Sequence, residues 1–328
     1  MDEEIQKLNN KSAKYAKDLE KLQQEINKTI VGQQDIVEKL IIALIAQGHV
    51  LLEGLPGLAK TLMIKTLSDC VNCSFTRLQF TPDLLPADIT GTKIYNHKDG
   101  SFTTMKGPIF ANFILADEIN RAPPKVQSAL LEAMQEKQVS IQGETHLLNN
   151  PFLVMATQNP IESEGTYKLP EAQVDRFAFK VLISHPEKNE EVEIIDRFTE
   201  GVTYKTSKII SVNNIVEMQS FNQNIYADSK IKEYVSEIVD ATRNPKNYDI
   251  DVDGFIEYGA SPRASLWLIL AGKAHAMLNG RGYVIPEDVK SVIFDVLRHR
   301  ILLTYEAEAE DITSDQIIEK IVDKIKIP

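Results

Sequence analysis

Cysteine is nearly absent from this 328-residue chain, which carries only Cys70 and Cys73. Their C-x-x-C spacing invites two readings, a redox pair or half a zinc site. The chain holds no second C-x-x-C and no H-x₃₋₅-H to complete a zinc site. A redox pair gains its low pKa at a helix N-terminus, whereas this one falls between a predicted helix over 61–69 and a predicted strand over 74–80. The pair therefore reads as two small buried thiols. Long apolar runs are missing too. The longest, Leu40 to Ala46, falls far short of the roughly 20 residues that span a bilayer, and Met1-Asp2-Glu3-Glu4-Ile5 has no apolar signal core. The expectation is a cytoplasmic protein with no membrane insertion. Positive charge is in deficit, with 36 Lys and Arg against 47 Asp and Glu and a formal net charge of −11. Such a chain is poorly suited to sequence-blind coating of nucleic acid, which needs a positive face to displace phosphate counterions. Neither an internal repeat nor a low-complexity tract is present.

What is there is a globular composition, 43% hydrophobic and 25% charged, in a chain long enough for one large domain and a smaller one. Residues 1–28 place Ile5, Leu8, Tyr15, Leu19, Leu22 and Ile26 at spacings of threes and fours, which predicts an amphipathic helix packed on the main domain. From Ile30 onward, helix-like stretches alternate with short apolar strands at 49–53, 74–80, 113–116 and 152–156. Strands that are apolar throughout and separated by helices predict an α/β fold with a parallel sheet buried on both faces. Segments 91–110 and 139–148 interrupt the alternation. Each reads as a β-hairpin, with Lys98-Asp99-Gly100 and Gln142-Gly143-Glu144 at the tips, because glycine there supplies the positive φ of a tight turn. After His185-Pro186 the pattern is mostly helical, apart from a short extended piece near 208–212. Helix starts are signalled at Ser261-Pro262 and Pro286-Glu287-Asp288. The expected division is 1–29, 30–186 and 187–328.

The segment Gly54-Leu55-Pro56-Gly57-Leu58-Ala59-Lys60-Thr61-Leu62 follows a strand and opens a helix, the context in which backbone N–H groups cradle phosphates. Lys60 would neutralise the β and γ phosphates of a bound nucleotide, and Thr61 would ligate Mg²⁺. Ala59 stands where G-x-x-x-x-G-K-[ST] expects its last glycine, so an ordinary Gly-Pro-Gly turn remains the alternative. Downstream, the apolar strand 113–116 runs into Asp117-Glu118. Carboxylates at the carboxyl edge of a buried strand call for a cation or water. Asp117 would hold the metal through water and Glu118 would polarise the attacking water. Thr157-Gln158-Asn159-Pro160 ends a further strand and offers an amide that could orient that water.

In this order, the blocks Val31-Gly32-Gln33, GLPGLAKT (54–61), LADEINRAPPKVQSALLEAMQE (115–136), ATQNP (156–160), LPEAQVDRF (169–177), GASPRASLWL (259–268) and YVIPEDV (283–289) resemble the MoxR family of AAA+ ATPases. The resemblance runs from Ile30 to about Tyr305. An alanine before the lysine is usual in that family. It implies an AAA+ P-loop NTPase core with a parallel five-stranded sheet and helices on both sides, two hairpin inserts and a C-terminal helical lid. It further implies ATP and Mg²⁺ as ligands, with Lys60 and Thr61 as Walker A and Asp117 and Glu118 as Walker B. Asn159 would be sensor 1, Arg176 an arginine finger and Arg263 sensor 2, reading either its own nucleotide or a neighbour's. Arg121 would face a subunit interface.

A finger offered to a neighbour's γ-phosphate is worth roughly 10³ to 10⁵ in rate in other NTPases, so hydrolysis would require assembly. The resemblance thus implies a homo-oligomeric ring, expected to be a hexamer, that remodels or matures a protein client, in partnership with a von Willebrand factor A domain protein. The segments 1–29 and 306–328 are too short for a client-binding domain, which leaves recognition to the inserts or the lid. Two other classes compete. A nucleic-acid motor or loader would use Lys93, His97, Lys98 and Lys106 of the first insert. A nucleotide-gated switch would have no need of Asp117, Glu118 and Arg176 together.

Overall fold

The computed structural model describes residues 2–328 apart from 56, 99, 160–164, 201–204 and 253. Pro56 of the phosphate loop, Asp99 at the first hairpin tip and Pro160 therefore lie outside the described residues. Two helices lead in, α1 (Asp2–Thr29) and α2 (Gln34–Ala46), followed by β1 (Val50–Glu53), α3 (Lys60–Val71) and β2 (Phe75–Gln79). A short α4 (Pro86–Thr90) precedes the hairpin β3 (Gly91–Asn96) and β4 (Ser101–Lys106). Then come β5 (Phe113–Asp117), α5 (Pro124–Glu136), a second hairpin of β6 (Gln138–Ile141) and β7 (Glu144–Leu147), and β8 (Leu153–Gln158). The one-turn helix α6 (Glu171–Val174), β9 (Phe179–Leu182) and α7 (Lys188–Thr199) complete this half.

The sheet runs β2-β5-β8-β1-β9 and every pairing in it is parallel. Its three inner strands are buried until their last residues, Glu53, Asp117 and Gln158, which are half-buried. Helices cover both faces, so a polar residue reaches the surface only where a strand emerges at its carboxyl edge. The edge strand β2 alternates exposure and carries Arg77 and Gln79, a departure from the all-apolar pattern of the inner strands. The fifth strand, β9, was not among the four read from composition. Its sequence, Phe-Lys-Val-Leu, is too short to show a period.

The second half comprises α8 (Val212–Asn224), α9 (Ser229–Ala241), β10 (Ile256–Tyr258), α10 (Pro262–Leu278), α11 (Pro286–Leu297), β11 (Leu302–Leu303), α12 (Tyr305–Ala309) and α13 (Ser314–Lys324). Proline occupies the first helical position of α10 and α11, where its missing N–H costs nothing. No strand forms at 208–212. The Ile209 N–H instead donates to Cys70 O at 2.8 Å, fastening the segment to the end of α3. Extended structure occurs later, as the antiparallel pair β10–β11.

Helix α1 buries Tyr15, Leu19, Leu22 and Ile26. It packs on α3 of the sheet half, as an amphipathic N-terminal helix should, but also along α10 of the second half. Tyr15 meets Phe221 of α8 edge-on, with ring centroids 5.4 Å apart. The helix thus bridges both halves. Cys70 is buried and Cys73 partly so, and burial pushes both thiols up to about 12. Among the described residues no group of three or more His, Cys, Asp or Glu is placed to hold a metal, and no helix is long and apolar enough to cross a membrane.

Candidate nucleotide site

A cavity of about 920 Å³ opens at the carboxyl edge of the sheet, within the range of about 300–1,000 Å³ typical of small-molecule sites. Gly57, Leu58, Ala59, Lys60, Thr61 and Leu62 line it, together with Asp117, Glu118 and Asn159. The loop geometry follows from the glycines. Gly57 has φ +87° with open space where a Cβ would stand, and a Cβ on Gly54 would meet Ile183 O at 2.8 Å. Gly54 and Leu55 lie behind the cavity rather than on its wall. Ala59 is itself left-handed at φ 54°, and no side chain caps α3. The first-turn N–H groups of α3 therefore lack both an intrahelical and a side-chain acceptor, which makes this end a ready anion site.

Lys60 Nζ donates to the carbonyl of Gly54. Burial pulls its pKa down, while the negative charges of Asp117, Glu118 and Glu53 push the other way. Asp117 Oδ1 accepts from Thr157 Oγ1 at 2.7 Å, and Thr157 Oγ1 accepts from the Glu118 N–H at 2.8 Å. One hydroxyl thus fixes both acidic residues. Glu118 has φ 57°, a left-handed turn that carries its side chain off the strand direction.

The edge strand β2 completes the acidic side. Arg77 Nε donates to Asp117 Oδ2 at 3.0 Å, and Arg77 Nη2 reaches Gln79 Oε1 at 3.0 Å. Gln79 Nε2 in turn donates to Glu118 Oε2 at 2.8 Å, and Arg121 Nε lies 2.8 Å from the same oxygen. Thr157, Arg77 and Gln79 were not singled out from the sequence. Their signal is positional: Arg77 and Gln79 are two apart on a short strand and so share a face, which only the pairing of β2 with β5 aims at the acids. The opposite wall is apolar, formed by Ile30, Val31, Pro186 and Ile194, with Arg197 beside them. Arg197 Nη1 donates to Lys28 O at 2.7 Å.

Arg176 and Arg263 are not part of this wall. Arg176 is half-buried just after α6, and among the described residues its side chain makes no hydrogen bond or ion pair. Arg263 Nη1 lies 3.2 Å from Asp175 Oδ2, next to Arg176 in the chain. Ser261, which stands at the N-cap of α10, turns its hydroxyl to the same carboxylate at 3.0 and 3.1 Å. The sequence-derived set therefore divides: Lys60, Thr61, Asp117, Glu118 and Asn159 share one cavity, whereas Arg263 pairs with Asp175, the residue that precedes Arg176 in the chain.

Residues 49–179 match the ATPase family associated with various cellular activities, and residues 250–321 match the AAA lid domain. The chain is 50% identical to Chaperone MoxR1 of Mycobacterium tuberculosis over 93% of its own length and 81% of that protein's. It is 45% identical to the uncharacterised protein YeaC of Bacillus subtilis, over 94% and 95% of the two chains. A crystal structure of an inferred ATPase from Cytophaga hutchinsonii superposes with a TM-score of 0.93 at 48% identity, covering 99% of both chains.

Proposed function

The chain belongs to the MoxR family of AAA+ ATPases, and from that premise we propose that it couples Mg²⁺-dependent ATP hydrolysis in a ring, of six subunits, to chaperone-like remodelling or maturation of a protein client. The observation that carries this reading is the shared cavity. An uncapped helix N-terminus, Lys60, two acids and Asn159 converge on it, with an apolar slot at Ile30, Val31, Pro186 and Ile194 suited to a flat base.

The donor set fits a hard cation. Thr61 and Asp117 supply oxygen ligands only, as Mg²⁺ prefers. Asp117 already engages a cation, Arg77, in this structure. When bound, the metal would neutralise charge on the β and γ phosphates and draw electron density toward the leaving oxygen. The α3 N–H groups and Lys60 hold the phosphates, Lys60 exchanging the Gly54 carbonyl for a phosphate oxygen. Glu118 accepts a proton from the attacking water, and Asn159 fixes that water's orientation.

Arg176 completes the site in trans, stabilising the charge that develops on the transferred phosphoryl group. The pairing of Arg263 with Asp175 supports assigning both arginines to the edge that meets a neighbour's nucleotide. Client recognition falls to the inserts, where Ile94, Tyr95, Phe102, Met105 and Leu147 are exposed. A von Willebrand factor A domain protein is the proposed partner.

The test is ATP hydrolysis per chain across protein concentration, with Arg176→Ala as control. Specific activity should climb with concentration for the parent and stay flat and low for the variant. Concentration-independent turnover that survives Arg176→Ala would remove the shared-site reading.

A further inference from the structure

Arg300 is the most deeply buried arginine described, with a side-chain exposure of 0%. It follows α11 and stands at the joint between the lid and the sheet half. Its Nε donates to Asp175 Oδ1 at 2.8 Å. Nη1 donates to Ala178 O at 3.1 Å and to Val296 O. Nη2 donates to Asp175 O at 3.1 Å and Phe177 O at 2.6 Å. All five N–H donors of the guanidinium are thereby used. Four of the five go to residues 175–178, the segment that contains Arg176.

The neighbours of Arg300 in the chain act alike. His299 Nε2 lies 3.1 Å from Phe177 O, and Arg298 Nη1 donates to Lys180 O at 2.9 Å. Asp175 also receives Ser261 and Arg263, so among the described residues every side chain bonded to its carboxylate comes from the lid. Only one helical turn, α6, leads into this segment. Apolar side chains of similar volume would glue the two halves as well as a buried ion pair does, or better. A planar fork that satisfies three backbone carbonyls around one residue does something apolar packing cannot: it fixes the direction of that backbone.

We infer that Arg300 is a positioning residue for Arg176, a lid side chain that sets the angle at which Arg176 is presented to a neighbouring subunit. The inference rests on the finger role proposed above. It also makes the lid and the finger one mechanical unit, so that a lid displacement in one subunit alters hydrolysis in the next. Burial pulls the Arg300 pKa down to about 10, against the pull of Asp175, and the group keeps its charge at neutral pH.

The test uses the full chain in its assembled form. Arg300→Met should leave the affinity for a fluorescent ATP analogue within about 2-fold and lower kcat on the order of 10²-fold, the cost of a misplacement near 1 Å. Arg300→Lys, which keeps a cation at Asp175 but forfeits the carbonyl contacts, should fall between. Mixing separates positioning from simple structural damage. An Arg300→Met subunit keeps its own nucleotide site, so co-assembly with Lys60→Ala should restore activity, and co-assembly with Arg176→Ala should not. Unchanged kcat in Arg300→Met, weakened nucleotide binding, or rescue by Arg176→Ala would each overturn the inference. If Arg300→Met fails to assemble, the same mixtures made with Arg300→Lys decide it. Failure of the finger reading itself looks different: Arg176→Ala alone would then remain active.

Discussion

Thr157 Oγ1 stands 2.7 Å from Asp117 Oδ1, and with Arg77 on Oδ2 it holds the Asp117 carboxylate from both sides. Thr157 is buried and sits on β8 directly beside the acid. Thr157→Val keeps the shape and removes the donor, leaving the Glu118 N–H without its acceptor as well. Partners that orient a metal ligand are worth about 10–100-fold in affinity or activity. ATPase activity titrated with Mg²⁺ should therefore show a raised half-saturation point or a turnover lowered by that order.

Glu118→Gln keeps the volume and the hydrogen-bonding reach toward Gln79 but cannot accept a proton. Nucleotide binding should persist while turnover drops by about 10²–10⁴-fold. Equilibrium binding of a fluorescent ATP analogue beside steady-state hydrolysis separates the two. Undiminished turnover would take Glu118 out of its role.

Helix α1 is held by a few side chains, of which Leu22 is completely buried. Leu22→Ala should destabilise the protein by about 2–5 kcal/mol, from lost transfer energy and the cavity left behind. Because α1 bridges both halves, its loosening should also uncouple them, and urea unfolding followed by tryptophan fluorescence of Trp267 should split into two transitions.

His49 is fully enclosed, with Nε2 3.1 Å from Met134 O and Nδ1 accepting from the Val154 N–H at 3.1 Å. Burial lowers its pKa from 6.5 to about 4. The unfolded chain therefore binds a proton that the folded chain refuses between these two values. This contribution is fully present above pH 6.5 and is lost as pH falls toward 4, by about 3 kcal/mol at the extreme. Stability measured between pH 7 and 4.5 should fall with a slope that flattens by about one proton in His49→Gln.

The first hairpin should not bind nucleic acid. Lys93 is paired with Glu144 at 2.7 Å, and Lys106 lies over the Phe110 ring at 4.7 Å, so two of its lysines are already engaged. DNA binding at low salt is expected to be absent. Salt-dependent binding lost in Lys98→Ala and Lys106→Ala would instead favour a nucleic-acid motor.

The sequence by itself determined what depends on neighbours in the chain. Periodicity placed α1 and the inner strands, and proline at the first helical position placed the starts of α10 and α11 at Pro262 and Pro286, because all of these are local signals. The phosphate loop and Asp117-Glu118 were legible for the same reason: the glycines, the lysine and the acids lie within a few residues of each other and next to a strand. Tertiary structure alone decided the rest. Arg77 and Gln79 become partners of Asp117 and Glu118 only through the β2–β5 register, across some forty positions of sequence. Thr157 joins them only because β8 lies on the other side of β5. Asp175 collects Ser261, Arg263 and Arg300 from residues more than eighty positions away, where no window on the sequence could connect them. Hydrogen-bond geometry acts through space, and only packing of the lid against the sheet brings those donors within 3 Å or so of one carboxylate.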